Sequence, residues 1–300
     1  MCPASPCFMN MTLHSSRTWL LVAFTMLRTA AATAQTPASE LTTLTLEERS
    51  VRGFYTTYDR NYSYVGVRGF GRPGDYNTRV LLLVDGHRLN DAVYDQAPIG
   101  TDFPLDVSLI ERVEVIRGPG SSLYGTSAFF AVINIITRNG ADRRGLQVNA
   151  EAGNLGTGKA QASFGRLFDG GVDLLVAGQT YRSAGSSELY YPEYDSPDTA
   201  NGIVRHVDGD GLEGLFAKSS IGNVSAAAAY SRRDKTIPTA SFGSVFGDHR
   251  NRTWDARGYV DVQYNGSFGG GWNGTARGSY DHYRYDGNYA LRKVLLRGSP

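Results

Sequence analysis

Cysteine is almost absent from this chain of 300 residues, and its two cysteines, Cys2 and Cys7, both lie at the extreme N-terminus. The rest of the sequence therefore has no disulfide framework and no cysteine-based zinc site. The five histidines are far apart, with no metal-ligand spacing and no local motif of a Ser/His/Asp arrangement. These absences leave no sign of a metal centre or of a bound cofactor.

An excess of charge is also absent, because 30 basic and 29 acidic residues leave a net charge of +1. Such a balance gives no indication of a nucleic-acid-binding surface. No stretch of the sequence approaches the roughly 20 consecutive apolar residues that a transmembrane helix needs. If the chain is a membrane protein, it must therefore form a β-barrel.

The N-terminus has one short apolar run at residues 19–27, between Arg17 and the small residues at 32–34. A positive residue, a short apolar core and a small-residue cleavage site are typical of a secretory signal peptide. We therefore predict a signal peptide over residues 1–34 and export of the remainder, with a buried helix as the alternative. A short polar N-terminal segment follows at 35–50.

Glycine and tyrosine are abundant, with 36 and 18 residues, which suits a β-rich protein with many turns. Three apolar runs, at residues 80–84, 112–116 and 131–137, have the composition of strands that are buried on both faces. The first run ends in the tight-turn pair Asp85-Gly86. These features predict a globular unit with mixed structure over residues 51–140.

From Gly145 onward, apolar and polar residues alternate with the period of two that is typical of a β-strand. The alternation is clearest at 253–264 and 272–283, where each strand has one apolar and one polar face. We predict seven strands, at residues 146–152, 159–168, 172–181, 212–221, 224–231, 253–264 and 272–283.

Strand length and loop length distinguish a membrane barrel from a soluble β-sandwich. The two clearest strands have twelve residues each, close to the ~9–11 of a tilted membrane strand and above the ~5–6 of a globular sheet. From the second connection onward, long and short connections alternate, as in outer-membrane barrels. Aromatic residues near strand ends would form the interfacial girdles: Tyr230, Trp254, Tyr264, Trp272 and Tyr280. We therefore predict antiparallel transmembrane barrel strands over residues 145–300, with a soluble sandwich as the alternative.

Five sequence blocks follow one another in the first globular unit: residues 67–70, 80–86, 110–119, 122–125 and 131–137. In this order and spacing they closely resemble the plug domain of TonB-dependent outer-membrane receptors. The positions that carry the resemblance are Arg68, Gly69, Asp85, Gly86, Glu111, Arg112, Glu114, Arg117, Gly118, Pro119, Tyr124, Gly125 and Asn134. The resemblance implies an α+β plug domain followed by an antiparallel transmembrane β-barrel.

The resemblance also implies a function. In this family the plug blocks the barrel until the TonB complex, energised from the inner membrane, pulls on it, and a scarce ligand then enters. The ligand would be a ferric siderophore, haem or cobalamin, the location the cell outer membrane with its lipid, and no enzymatic reaction is implied. The charged run around Arg112 is expected to face the hydrated barrel wall; a solvated face is the alternative.

Aromatic and basic residues are concentrated between residues 55 and 79, where the resemblance puts the outward-facing apex of the plug. Tyrosine with arginine suits an anionic or aromatic ligand. The candidate ligand-binding residues are Tyr58, Arg60, Tyr62, Tyr64, Arg72 and Tyr76. The alternative is a set of scattered surface residues.

The sequence departs from the pattern of the family. The comparison with that pattern predicts that the first half of the plug is missing, and residues 35–50 show no TonB-box-like apolar stretch. A 22-stranded barrel needs roughly 220 residues in strands alone, whereas residues 146–300 number only 155. The sequence therefore predicts a fragment with an incomplete barrel. A passive barrel such as a porin or adhesin, and a soluble secreted β-rich protein, are the alternative functions.

Overall fold

Nearly all of the regular structure in the described residues is β-strand. The computed structural model describes residues 53–72, 74–267 and 272–292, together with the backbone of residues 7–17 and 42–44. The strands are β1 (Cys7–Arg17), β2 (Thr42–Leu44), β3 (Phe54–Tyr58), β4 (Ser63–Val67), β5 (Val80–Val84), β6 (His87–Arg88), β7 (Ile110–Arg117), β8 (Ala131–Thr137), β9 (Gly145–Gly153), β10 (Thr157–Leu167), β11 (Val172–Ser183), β12 (Glu188–Tyr190), β13 (Ile203–Arg205), β14 (Asp210–Ile221), β15 (Val224–Thr236), β16 (Arg252–Ser267) and β17 (Asn273–Leu291).

Within the part of the chain that the structure describes, helical structure is limited to short segments. One turn of α-helix, α1, spans Ser121–Tyr124. Short 3-10 helices lie at Val107–Leu109, Gly140–Arg143, Pro192–Tyr194, Pro197–Gly202 and Ser241–Gly243. No helix in the described residues is both long enough and apolar enough to cross a membrane.

The largest sheet contains eight antiparallel strands in the order β1-β17-β16-β15-β14-β11-β10-β9. We call the strands from β9 to β17 in this sheet the wall. All seven strands predicted from the alternating pattern are present in it, so the predicted antiparallel arrangement is confirmed. Strand β15 continues to Thr236, beyond the predicted end at residue 231, because its charged residues keep the strand alternation. In the described residues the sheet is open, with β9 at one edge and β1 at the other.

Edge strand β1 is not predicted by the sequence. Its backbone pairs with β17 from Cys7, opposite Leu291, to Arg17, opposite Asp281. It falls within the segment predicted to be a signal peptide. The apolar run at 19–27 on which that prediction depends lies outside the described residues, so the signal peptide stays a prediction.

The wall buries its polar face and exposes its apolar face. In β16, Asp255 and Arg257 are buried, whereas Val260 and Val262 on the opposite face are 49% and 45% exposed. A soluble sheet does the reverse, because it buries its apolar side chains in a core. The inverted pattern is that of a membrane barrel, in which the apolar face contacts lipid and the polar face lines the interior.

The plug is built on a second sheet with the order β2-β7-β8-β5-β6. Strand β5 pairs in parallel with β8, and β8 pairs antiparallel with β7. Every residue of β5 is buried, as its continuous apolar run predicts. Strands β3 and β4 form a separate hairpin. The three strands predicted for the first unit are therefore β5, β7 and β8.

The plug lies against the inner face of the wall, and one apolar cluster joins the two. From the plug it contains Leu82, Val84, Leu109 and Ile135, and from the wall Leu175, Phe216, Ala229 and Tyr259. Burial of each such side chain contributes roughly 1.5–3 kcal/mol. This cluster therefore fixes the sheet of the plug to the middle strands of the wall.

The inverted faces of the wall predict that a charged residue is tolerated on the inner face and not on the outer face. Replacing outward-facing Val260 with Arg should reduce folding into lipid vesicles, because an arginine on the lipid face of a barrel costs about 2–4 kcal/mol near the bilayer midplane. The matched control is Ser279→Arg, since Ser279 lines a cavity between plug and wall. The urea-stable, vesicle-bound fraction is the measurement. Equal losses in both variants would contradict the assignment of the two faces.

Candidate functional site

The two ends of the wall have different connections. At one end, long loops at residues 184–209 and 237–251 join the strands, whereas the other end has short turns at 168–171 and 222–223. Outer-membrane barrels have their long loops on the outside and their short turns in the periplasm. We therefore call the long-loop end the outer end, and the long loops the outer loops.

The β3–β4 hairpin of the plug lies at the outer end. Its turn is stabilised by Asp59, whose carboxylate accepts hydrogen bonds from the backbone N–H groups of Asn61 at 2.8 Å and Tyr62 at 2.6 Å. The same carboxylate accepts the hydroxyl of Tyr64 at 2.6 Å. Arg60 sits between these anchored residues with a φ of 71°, a left-handed conformation that an arginine rarely adopts. The turn is therefore held in one shape, in which the Arg60 side chain reaches Asp208.

Arg233 on β15 attaches this hairpin to the wall. Its guanidinium donates to the backbone oxygen of Asn61 at 2.6 Å and to the hydroxyl of Thr101 at 2.9 Å, so it contacts the plug at two points. It is also paired with the carboxylate of Asp210 on β14, at 3.1 and 3.2 Å. Only 2% of its surface is exposed.

A second buried contact lies next to Arg233. The hydroxyls of Tyr62 and Tyr283 both donate to the carboxylate of Asp255 on β16, at 3.0 to 3.1 Å. Burial, and then the charge of Asp255, raise the pKa of Tyr62, so its hydroxyl keeps its proton and remains a donor. The ring of Tyr62 also packs under Arg233, with 5.5 Å from Cζ to the ring centroid. Tyr62 is therefore a structural contact between plug and wall.

Asp208 joins the hairpin to an outer loop. Its carboxylate accepts from Arg60 at 3.3 Å, from Lys235 at 2.8 Å and from the backbone N–H of Ser186 at 3.1 Å. Lys235 is 1% exposed and belongs to β15, whereas the Arg60 side chain is 36% exposed. Arg60 also lies over the ring of Tyr58, 5.9 Å from its centroid. Arg60 and Tyr58 are therefore open to solvent beside the outer loop.

The predicted ligand residues fall into two groups. Tyr58 and Arg60 are accessible at the outer end, and Arg72 is exposed on the segment that follows the hairpin. Tyr62 and Tyr64 are buried, with 6% and 2% of their surfaces exposed.

Tyr76 is half-buried and packs against the buried group. Its ring centroid lies 5.6 Å from that of Tyr62 and 6.2 Å from that of Tyr64. The structure thus brings three predicted residues together as an aromatic cluster beneath the hairpin. The ligand-binding role of all six stays a prediction, and the accessible members are the ones that a ligand can reach.

The plug-motif residues Asp85 and Gly86 form the predicted tight turn. Both have positive φ, 48° and 75°, as a type I′ hairpin turn requires. The Asp85 carboxylate accepts from the backbone N–H and the hydroxyl of Thr137, at 2.9 and 2.6 Å. Lys218 on β14 lies 3.2 Å from the same carboxylate. This turn therefore contacts the wall towards the end with the short turns.

The charged run of the plug motif makes contacts within the plug. Arg112 donates to Glu114 and Glu111, each at 2.9 Å. Glu114 in turn accepts from the amide of Asn134 at 3.0 Å, which joins β7 to β8. The contacts of this run with a barrel wall stay a prediction, since the described strands meet the plug through other residues.

Most of the wall residues that hold the plug were not predictable from the sequence. Arg233, Asp255, Asp208 and Lys235 lie on the inner face of the wall or in an outer loop, far along the chain from their partners. The available signal was the polar face of each alternating strand, because a charged residue on that face must meet the plug or water. Among the described residues, no group of three His, Cys, Asp or Glu side chains could hold a metal ion.

One carboxyl group at the interface of plug and wall, that of Asp102, is buried and has a raised pKa. Asp102 has 4% of its surface exposed. Burial raises its pKa to about 7, although Arg257 and Arg233 of the wall act in the opposite direction. Asp102 is therefore partly protonated near neutral pH.

This raised pKa predicts how stability depends on pH. Between about pH 4 and pH 7 the unfolded chain releases this proton and the folded chain retains it, so stability falls as the pH rises. Asp102→Asn should leave the urea midpoint near pH 4 unchanged. Near pH 8 it should stabilise the chain by up to about 4 kcal/mol, which corresponds to the difference between pKa 3.8 and about 7.

The control is Asp169→Asn, in an exposed turn at the opposite end of the wall. It should leave the urea midpoint unchanged at both pH values. A midpoint that shifts equally at both pH values for Asp102→Asn would rule out the raised pKa.

Comparison with known proteins agrees with this geometry. Residues 27–132 match the family model described as TonB-dependent Receptor Plug Domain. The chain is 31% identical over 207 residues to the Vitamin B12 transporter BtuB of Vibrio vulnificus (strain CMCP6), a match that covers 68% of this chain and 30% of that relative.

Solved structures show the same fold. The ferric yersiniabactin uptake receptor FyuA from Yersinia pestis matches with a TM-score of 0.55 and 16% identity, over 85% of this chain and 42% of that chain. The FrpB iron transporter from Neisseria meningitidis (F3-3 variant) matches with a TM-score of 0.56 and 16% identity, over 78% and 37%. The chain thus spans less than half the length of these receptors.

The ordered plug blocks, the family model, the similarity to a curated transporter and the wall with its inverted faces all point to one family. The predicted fold class and the outer-membrane location are confirmed. This chain belongs to the TonB-dependent outer-membrane receptors, of which it contains a plug domain and antiparallel barrel strands.

Proposed function

We propose that this chain is the plug-bearing part of a receptor that takes up a scarce ligand across the outer membrane by energy coupling to TonB. The observation that carries the proposal is the way the plug is held. Its hairpin is attached to the wall by buried polar contacts around Arg233, while Arg60 and Tyr58 face the outer loops. Such a plug closes the interior and presents a binding surface to the outside.

The accessible pair indicates the chemistry of the ligand. A guanidinium beside a phenol ring suits an anionic group attached to an aromatic or extended ligand. The relative is named a vitamin B12 transporter and one structural neighbour a ferric yersiniabactin receptor. We propose a metal chelate of the ferric siderophore, haem or cobalamin class, and we propose no enzymatic reaction.

Coupling to TonB would act on the segment that precedes the plug. Strand β2 lies at the edge of the plug sheet and pairs with β7 through three residue pairs, Thr42–Leu44 opposite Val113–Val115. A force on this segment would separate those pairs first and would then act on β7. Residues 35–50 contain no TonB-box-like apolar stretch. Association with the TonB complex is therefore a proposal that depends on family membership.

A binding measurement tests the ligand site. Arg60→Ala in the purified chain in detergent should weaken binding of ferric yersiniabactin, or of cyanocobalamin, by about tenfold, the loss expected for one charge-assisted contact. Isothermal titration with each compound gives the affinity.

The matched control is Arg166→Ala. Arg166 is exposed and lies 5.0 Å over the ring of Phe168, the same type of contact, but at the end of the wall with the short turns. Its substitution should leave the affinity unchanged. Equal affinities of both variants would place the ligand elsewhere, and failure of the unaltered chain to bind either compound would contradict the receptor function.

A further inference from the structure

His87 directly follows the Asp85-Gly86 turn of the plug and lies between two carboxylates of the wall. Its Nε2 is 2.9 Å from Oδ1 of Asp281 on β17, and its Nδ1 is 3.7 Å from Oδ1 of Asp261 on β16. The imidazole is 5% exposed and stacks on the ring of Tyr259, with 4.2 Å between the ring centroids. A single side chain of the plug thus contacts two adjacent strands of the wall.

Arg277 on β17 completes this contact from the other side. It donates to the carboxylate of Asp261 at 2.7 and 3.0 Å and to the backbone oxygen of Asp85 at 3.2 Å. Gly86 makes this approach possible, because a Cβ on Gly86 would lie 3.0 Å from the Arg277 guanidinium. Polar groups of β16 and β17 therefore hold one side of the turn, while Gly86 itself is exposed.

We propose that His87 is a positioning residue that fastens this turn of the plug to the wall, and that protonation of His87 strengthens the attachment. The protonated imidazole carries two N–H donors and a positive charge, which match the two carboxylates. The neutral ring has only one N–H. Its other nitrogen then presents a lone pair to a carboxylate oxygen, which is unfavourable.

The charged and titratable groups around His87 support this assignment. From β16 they are Tyr259 and Asp261, from β17 Arg277, Asp281 and Tyr283, from its own turn Asp85, and from β14 Lys218, which pairs with Asp85. Arg277 neutralises much of the charge of Asp261 in either state. The Asp281 side chain is 52% exposed, so solvent screens its interaction. The attachment should therefore weaken on deprotonation and should not be lost.

The direction of the pH dependence follows from the pKa of His87. Burial lowers this pKa, but the two carboxylates outweigh burial, and the net pKa is raised above the ordinary value of 6.5. A raised pKa means that the attachment is complete below pH 6.5 and declines as the pH rises through the higher folded-state value. The plug would be held more firmly in an acidic medium than in an alkaline one.

The contacts of His87 with the wall are independent of the identity of any ligand. His87 lines a cavity of about 800 Å³ between plug and wall, together with Arg257 and Ser279. The cavity leaves space for a larger cation at the position of the imidazole.

Hydrogen exchange of the full chain in detergent micelles tests the proposal. Protection of the plug amides at 80–91, corrected for the intrinsic effect of pH, should fall by about threefold between about pH 5.5 and about pH 8.5, as expected for an ion pair with one solvent-exposed partner. His87→Gln should show the low protection at both pH values. His87→Arg, which keeps a positive charge, should show the high protection at both.

Two variants and one spectrum complete the test. His249→Gln is the matched control, because His249 is 83% exposed beside Asp248, and it should keep the profile of the unaltered chain. Asp281→Asn, at a half-exposed position, is the second test if His87→Gln fails to fold. It should show a smaller pH dependence of protection than the unaltered chain. Proton spectra of the unaltered chain should show His87 titrating above the ordinary histidine pKa of 6.5. A flat profile in the unaltered chain, or an unchanged profile in Asp281→Asn, would overturn the proposal.

Discussion

The guanidinium of Arg233 is almost completely enclosed by protein, and the arrangement of plug and wall depends on how its charge is satisfied. Its partners come from the hairpin of the plug, from the segment at Thr101 and from Asp210 on β14. A buried cation is tolerated only when its donors are paired, and removal of one partner costs several kcal/mol. The hairpin therefore has one position in which this charge is compensated.

The plug is held by polar contacts at its two ends and by apolar packing in the middle. Arg233 and Asp255 act at the outer end, and the Asp85 turn acts towards the other end. Polar groups that separate from each other can be solvated by water, which lowers the cost of their separation. Apolar side chains have no such substitute. Displacement of the plug should therefore be limited mainly by the apolar cluster around Leu82 and Phe216.

The fold was predictable because strand alternation is a local property. Residues 253–264 show in their own order which side chains point inward, and burial in the structure follows that order. The site was less predictable, because exposure depends on residues far along the chain. Tyr62 and Arg60 have similar sequence surroundings. Tyr62 nevertheless has a structural role, because its hydroxyl donates to Asp255, which is 193 positions away. The contact of His87 with the wall was not predictable, because its partner Asp281 is 194 positions away.

These separations have a consequence for how the chain folds. Hydrogen bonds between residues so distant in sequence form late, because a long loop must close before they can be made. The plug segments are synthesised first, and their partners on β14 to β17 follow more than a hundred residues later, as the 172 positions between Asn61 and Arg233 illustrate. During this interval the apolar face of β5 has no wall to cover it. The plug should then be the part of the nascent chain most exposed to aggregation and proteolysis.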